Sequence, residues 1–282
     1  MDIEESNIAE TIARLVPTAD IVYPPSPEPG DILQLVVPDN FKLVPVDTEK
    51  MLGHPRRTVA SASFADADSF LAYVNRHAIN GSTVAWCDFN PQTFALKFAA
   101  VFDDHGTTEA GWRKHRAAFE PDMSAEWKTW KGANTKAMDQ VAFATWLQDH
   151  ELDINSGAEG FPTSLQMLTM ATEFVAHEEH ALKSTVRLNS GGVRLTYIAD
   201  ADKGTTETMQ LFERFALGIP VFHEGGAWRL TARLKYRNSN GKVVFFYELQ
   251  RPDIVHASAA KELIAKVREG LGAVPMFMGH CD

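Results

Sequence analysis

Apolar residues recur along this chain in two rhythms, one of helices and one of strands, and the switches between them lay out its elements. Ile8, Ile12 and Leu15 share a face of a helix predicted over Asp2–Val16, which Pro17 follows. Pro24, Pro25, Pro27 and Pro29 crowd the next segment, which therefore reads as a stiff extended arm. Ile32–Val37 and Phe41–Val46 are strand candidates around Pro38-Asp39-Asn40, and Met51–Thr58 reads as loop. Asp66–Ala78 has the helical period, with Phe70, Leu71, Val74 and Ala78 inward. Thr83–Asp88 is a strand. Over Phe94–Phe102 the period is two, with Phe94, Leu96, Phe98, Ala100 and Phe102 on one face.

The middle of the chain changes character. Gly111–Ile154 carries Trp112, Trp127, Trp130 and Trp146 and reads as a helical hinge between two halves. Ser124 caps a short helix to Trp130, with Trp127 where a capping box would place Glu. Met138–His150 is predicted helical with Met138, Val141, Ala142, Trp146 and Leu147 inward, and Pro162–Ala181 with Leu165, Leu168, Met170, Ala171 and Phe174. Strands follow. Thr185–Leu188 and Val193–Ala199 flank Ser190-Gly191-Gly192, Thr208–Val221 is broken at Gly218 and Pro220, and Trp228–Arg237 and Lys242–Gln250 flank the Asn240-Gly241 hairpin signal. Asp253 is the expected N-cap of a last helix, with Ile254, Leu263, Ile264 and Val267 inward and Gly270 as its stop. The expected fold is α+β: an N-terminal ββαββ-like unit, a central helical hinge, and a C-terminal antiparallel sheet with a terminal helix. The expected divisions are 1–30 (helix and proline-rich arm), 31–110, 111–181 and 182–282.

Composition narrows the classes. A chain of 282 residues with 45% hydrophobic and 23% charged residues can bury a core. Its net charge of −10 disfavours non-specific nucleic-acid binding by the whole surface but leaves room for a local basic patch. Cys87 and Cys281 are far apart and form no CxxC, which suits a reducing compartment. No apolar run is long enough for a membrane span, and the acidic N-terminus has no signal-peptide pattern, so an intracellular protein with no membrane partner is expected.

Charge is distributed unevenly, and here the sequence is most specific. One face of Trp228–Arg237 reads Trp228, Leu230, Ala232, Leu234, Tyr236, and the other Arg229, Thr231, Arg233, Lys235, Arg237. With Asn240-Gly241 as the turn, Tyr236 falls opposite Phe245, Leu234 opposite Tyr247, Arg233 opposite Glu248, Lys235 opposite Phe246 and Arg237 opposite Val244. Arg229, Arg233, Lys235 and Arg237 are thus the candidate interface or anion-binding residues, with Arg187 and Arg194 as possible additions. Such a face can hold phosphates and stack bases, meet an acidic surface of a sister subunit, or stay solvated with one cross-strand ion pair. The first thirty residues are acidic (Asp2, Glu4, Glu5, Glu10, Asp20, Glu28 against Arg14), so an arm-to-strand pairing between copies would build rings or shells.

Other constellations are weaker. Asp103-Asp104-His105 with His115 has carboxylate and imidazole chemistry but reads better as a plain turn. His177-Glu178-Glu179-His180 is not HExxH, and no GxSxG, Walker A or GxGxxG motif occurs. No catalytic residue, metal ligand or cofactor is assigned. Cys87 reads as a buried small hydrophobe. Trp127 and Trp130, three apart on one helix, are candidates for hinge packing or for an interface.

Gly111-Trp112-Arg113-Lys114-His115-Arg116-Ala117, then Glu126-Trp127-Lys128-Thr129-Trp130, Gln140-x-x-Phe143-Ala144 and Asp153-Ile154, resemble the YfdQ family. Gly218-Ile219-Pro220-Val221-Phe222 and Leu230-x-x-Arg233-Leu234-x-Tyr236-Arg237 continue the resemblance, which runs from about Asp31 to near the end. It implies a protein of bacteriophages and prophages, acting in the host bacterial cytoplasm, and brings no activity with it. The expected function is that of a non-catalytic accessory protein that self-assembles as a homo-oligomer. The alternatives are a nucleic-acid-binding accessory of phage recombination or replication, and an inhibitor of a host defence enzyme. The corresponding partners are the chain itself, nucleic acid, or a host protein.

Overall fold

The computed structural model describes residues 20–22, 34–36, 52–173, 182–187, 192–200, 205–239 and 242–280, with side chains over 52–173, 212–236 and 243–280. Met1–Thr58 and Val59–Asp282 are separate compact units. In the first, strand β1 (Asp20–Val22) pairs antiparallel with β2 (Gln34–Val36). The predicted N-terminal helix, the proline run and Phe41–Val46 lie outside the described residues.

The second unit holds the remaining elements. They are β3 (Ala60–Phe64), α1 (Ala67–His77), β4 (Val84–Phe89), β5 (Leu96–Val101), β6 (His115–Phe119), α2 (Ala125–Ala133), β7 (Met138–Asp139), α3 (Gln140–Asp149), a 3-10 turn (Glu151–Asp153) and α4 (Ser164–Glu173). There follow β8 (Leu182–Arg187), β9 (Gly192–Asp200), β10 (Thr205–Phe212), β11 (Arg214–Pro220), β12 (Ala227–Ser239), β13 (Lys242–Leu249), α5 (Pro252–Gly270) and β14 (Met276–Met278). The fold is α+β, with N-terminal strands, central helices, and a C-terminal sheet followed by a terminal helix.

One sheet has the order β14-β4-β5-β6-β3, with β3 parallel to β6 and β14 parallel to β4. Two of its strands run against expectation. His115–Phe119 lies in the stretch read as helical hinge, yet it pairs between β5 and β3, with His115, Ala117 and Phe119 inward. The basic residues around it hide that short alternation. Ala60–Phe64 has only alanine and serine before its phenylalanine, too weak a pattern to announce a strand; pairing with β6 makes it one. Asp66 caps α1 by accepting from the Ser69 N–H at 2.6 Å, and Phe70 and Val74 are fully buried against the sheet. Phe98 and Phe119 stack beneath them, 5.6 Å apart.

The second sheet has the order β11-β12-β13-β7. Trp130, Phe143, Leu147, Phe215, Leu217, Leu230, Phe245 and Tyr247 are nearly fully buried on its inner side. The inward stripes of the central helices differ from the sequence reading. Val141 and Leu165 are 76% and 69% exposed, while Phe143 and Met167 face in. The cause is that Met138–Asp139 joins the sheet edge beside β13, and Asp139 then caps α3 through the Ala142 N–H at 2.8 Å, setting that helix's rotation. A third sheet, β10-β9-β8, is described by its backbone alone. The long strand expected over Thr208–Val221 divides at Glu213 instead of Gly218, and its two pieces belong to different sheets. Helix α5 begins at Pro252, with Asp253 inside its first turn and not at the cap; Ile254 is exposed, and His256, Ala259, Ala260, Ile264 and Val267 face in. It packs on both α1 and β12, and so ties the two sheets together.

Candidate functional site

The β12–β13 hairpin has the register that its turn residues and alternation predict. Leu234 pairs with Tyr247, Tyr236 with Phe245, Arg233 with Glu248, Lys235 with Phe246 and Arg237 with Val244. Side chains therefore divide as expected: Leu230, Ala232 and Leu234 are buried, and Arg229 and Arg233 are exposed on the outer face. Arg237 stands at the outward register position after Lys235, and its side chain lies outside the described residues.

Two features of this face were not legible beforehand. Lys235, not Arg233, takes the Glu248 carboxylate, reaching it diagonally in a half-buried ion pair. On the other flank, β11 brings Arg214 directly opposite Arg233. Like charges facing each other across an antiparallel pair repel. Among the described residues neither Arg214, Arg229 nor Arg233 has an ion-pair partner. The additions suggested from the sequence, Arg187 and Arg194, lie on β8 and β9 in the other sheet. Ala216 and Gly218 occupy the outward positions of β11 beside Thr231 and Arg229; Ala216 is fully buried, and the Asn155 side chain lies within 4 Å of where a Cβ on Gly218 would stand.

On the inner side of the same strand lies a cleft of about 280 Å³. Four segments wall it: the start of α1 (Ala65–Asp68), the connection after β6 (Phe119, Pro121, Asp122), the β11–β12 turn (Val221–Gly226, with Trp228) and α5 (Ala259, Glu262, Leu263, Lys266). The turn is held by the His223 N–H donating to the Asp122 carbonyl at 2.8 Å and by left-handed backbone at Glu224, φ 59°. Asp66 is engaged in capping α1, and Asp68 pairs with Lys266 at 2.7 Å. Asp122, Glu224 and Glu262 have no cation partner among the described residues. Phe119, Phe222 and Trp228 supply apolar wall. No sequence signal marks this cleft, because its residues come from four separated stretches.

The Asp103-Asp104-His105-His115 group is drawn together, but the side chains of its first three residues serve the turn between β5 and β6 and the His115 ring meets Tyr73. The Asp103 carboxylate accepts from the Lys114 and His115 N–H groups, each at 3.0 Å. Burial alone would raise this carboxyl; those two N–H groups hold it below the usual carboxylate range. Asp104 pairs with Arg113 at 3.0 Å, and His105 Nδ1 accepts from the Gly111 N–H. His115 is buried, with Nε2 3.0 Å from the Tyr73 hydroxyl. Burial first, and then the neighbouring His77, lower its pKa against the pull of Asp103.

Trp127 and Trp130 are both buried. Trp130 donates from Nε1 to Asp153 Oδ2 at 2.6 Å and packs on Trp146, Phe215 and Tyr247, whose hydroxyl donates to the Trp130 carbonyl. Ser124 caps α2 through the Trp127 N–H and also donates to the Pro220 carbonyl at the end of β11. Cys87 is fully buried, and desolvation pushes its thiol up to about 11. His177–His180 lies outside the described residues. No helix of the described residues is long and apolar enough to cross a membrane.

A family model described as an uncharacterized conserved protein (DUF2303) matches residues 7–281. No curated protein and no solved structure matches the chain.

Proposed function

Since the chain belongs to the uncharacterized conserved family DUF2303, which comes with no activity, we propose that it is a phage- or prophage-encoded accessory protein of the host bacterial cytoplasm that works by self-assembly. The observation that carries this reading is the outer face of β11–β13. Arg214 faces Arg233 across the strand pair, Arg229 stands on the same side four residues before Arg233, and Glu248, the carboxylate opposite Arg233, is taken by Lys235. A chain of net charge −10 that concentrates cations in one patch has there a surface suited to an acidic partner. The partner proposed is an acidic surface of another copy. A binding role is favoured over catalysis because Asp103, Asp104 and His105 are occupied in shaping a turn and the buried His115 ring is engaged with Tyr73. The phage attribution rests on the resemblance carried by the Gly111–Ala117 and Leu230–Arg237 segments.

The test is the native mass of the purified chain, taken without nuclease treatment, beside that of an Arg214→Ser/Arg233→Ser variant. The wild type is expected as a homogeneous multiple of the chain and the variant as a smaller species. A wild-type monomer overturns self-assembly. If that monomer carries nucleic acid, and the variant releases it, the face is a polyanion platform instead.

A further inference from the structure

The cationic face and the acidic cleft lie on opposite sides of one strand. Trp228 lines the cleft, and its neighbour Arg229 points to the other side of the sheet, as strand alternation requires. One chain therefore cannot bring its own face into its own cleft. Two chains can, and the contact so made is heterologous: each copy offers a face to one neighbour and a cleft to the other. We infer that the cleft between α1, α5 and the β11–β12 turn is the acceptor for the cationic face of a second copy. The inference rests on the self-assembly reading and names the surface that reading leaves open.

The chemistry of the two surfaces is complementary. Asp122, Glu224 and Glu262 supply carboxylates that no cation of the described residues engages, and planar guanidinium groups bind carboxylates in two-pronged fashion. The ring of Trp228 and the apolar wall of Phe119 and Phe222 suit the long stems that carry those guanidinium groups. The Arg214–Arg233 repulsion is relieved on docking. Asp66 and Asp68 contribute less, because the first caps α1 and the second already holds Lys266. A polyanion has no matching reason to enter the cleft.

The experiment uses two full-length variants with neutral substitutions. One has a silenced face, Arg214→Ser/Arg233→Ser. The other has a silenced cleft, Asp122→Asn/Glu224→Gln/Glu262→Gln. All five positions are exposed, so both variants are expected to fold, and circular dichroism checks this. Each variant alone is expected to self-associate at least about tenfold more weakly than wild type, as loss of interfacial charge pairs implies. Mixed in equal amounts, they are expected to form a discrete two-chain species, because each retains the half that the other lacks. A cleft variant that assembles like wild type overturns the inference while leaving self-assembly in place. So does a mixture that stays monomeric. A wild-type chain that is itself monomeric removes the self-assembly reading, and this inference with it.

Discussion

His256 illustrates how far one residue departs from its solution behaviour. It is 2% exposed on α5, stacked on Phe94 at 4.6 Å, with Trp127 and Phe222 edge-on to it and no hydrogen-bond partner for Nε2. Burial first, and then the charge of Lys131, depress its pKa from 6.5 to about 4. The folded chain thus resists a proton that the unfolded chain accepts. The stability this neutral imidazole contributes is whole above pH 6.5 and is lost as pH falls toward 4, by at most about 3 kcal/mol. Buried His115 shifts in the same direction and adds to the slope. His256→Phe, which keeps a ring in the cage, is expected to flatten part of that acid limb. Urea midpoints measured across this window decide it; parallel curves for variant and wild type would place the imidazole in water.

At the scale of elements, two glycines separate packing from propensity. A Cβ on Gly111 would run into the backbone carbonyls of Asp103 and Asp104, which the β5–β6 connection brings against it. Gly111→Ala should cost about 2–4 kcal/mol, since backbone and not a flexible side chain must yield. Gly132, inside α2, has open space where its Cβ would stand. Gly132→Ala should stabilise by about 0.5–1 kcal/mol, through helix propensity and a less free unfolded chain. Chemical denaturation of both variants reads the two signs. A mild effect at Gly111 would mean that the turn is not closely packed. The same turn uses Asp103, Asp104 and His105 as hydrogen-bond and ion-pair partners, so its loosening should register in the packing of His115 against Tyr73 as well.

For the whole molecule, the point at issue is which acidic surface meets the cationic face. The N-terminal arm is acidic in sequence, and the cleft is acidic in structure. Neutralising the arm in the full chain, with Glu4→Gln, Glu5→Gln and Glu10→Gln, is expected to leave the number of copies in the native particle unchanged. A fall in copy number, read by native mass spectrometry, would assign the contact to the arm instead. The β11–β12 turn carries part of the cleft wall, and the strands it joins carry the arginines of the face.

Where the determining contacts are local, the sequence was sufficient. The register of β12 with β13 followed from a two-residue turn and a period of two, because a hairpin of neighbouring strands leaves one register that buries Leu230, Ala232 and Leu234 together. Phe70, Leu71 and Val74 of α1 and Leu96, Phe98 and Ala100 of β5 followed for the same reason, whereas Ala78 is the exposed C-cap of α1 and Phe94 stands before β5 in left-handed backbone. What tertiary structure alone decided involves distant segments. Arg214 opposite Arg233, β14 beside β4, β6 within the first sheet and the four-walled cleft all depend on pairings between stretches that carry no mark of one another. The rotation of α3 depended on Met138 and Asp139 leaving the helix for a sheet edge, a choice made by β13 and not by the helix's own period. Local periodicity selects which face of an element is apolar, but only packing selects the partner that covers it, and the cationic face and the cleft lie where that packing left charge exposed.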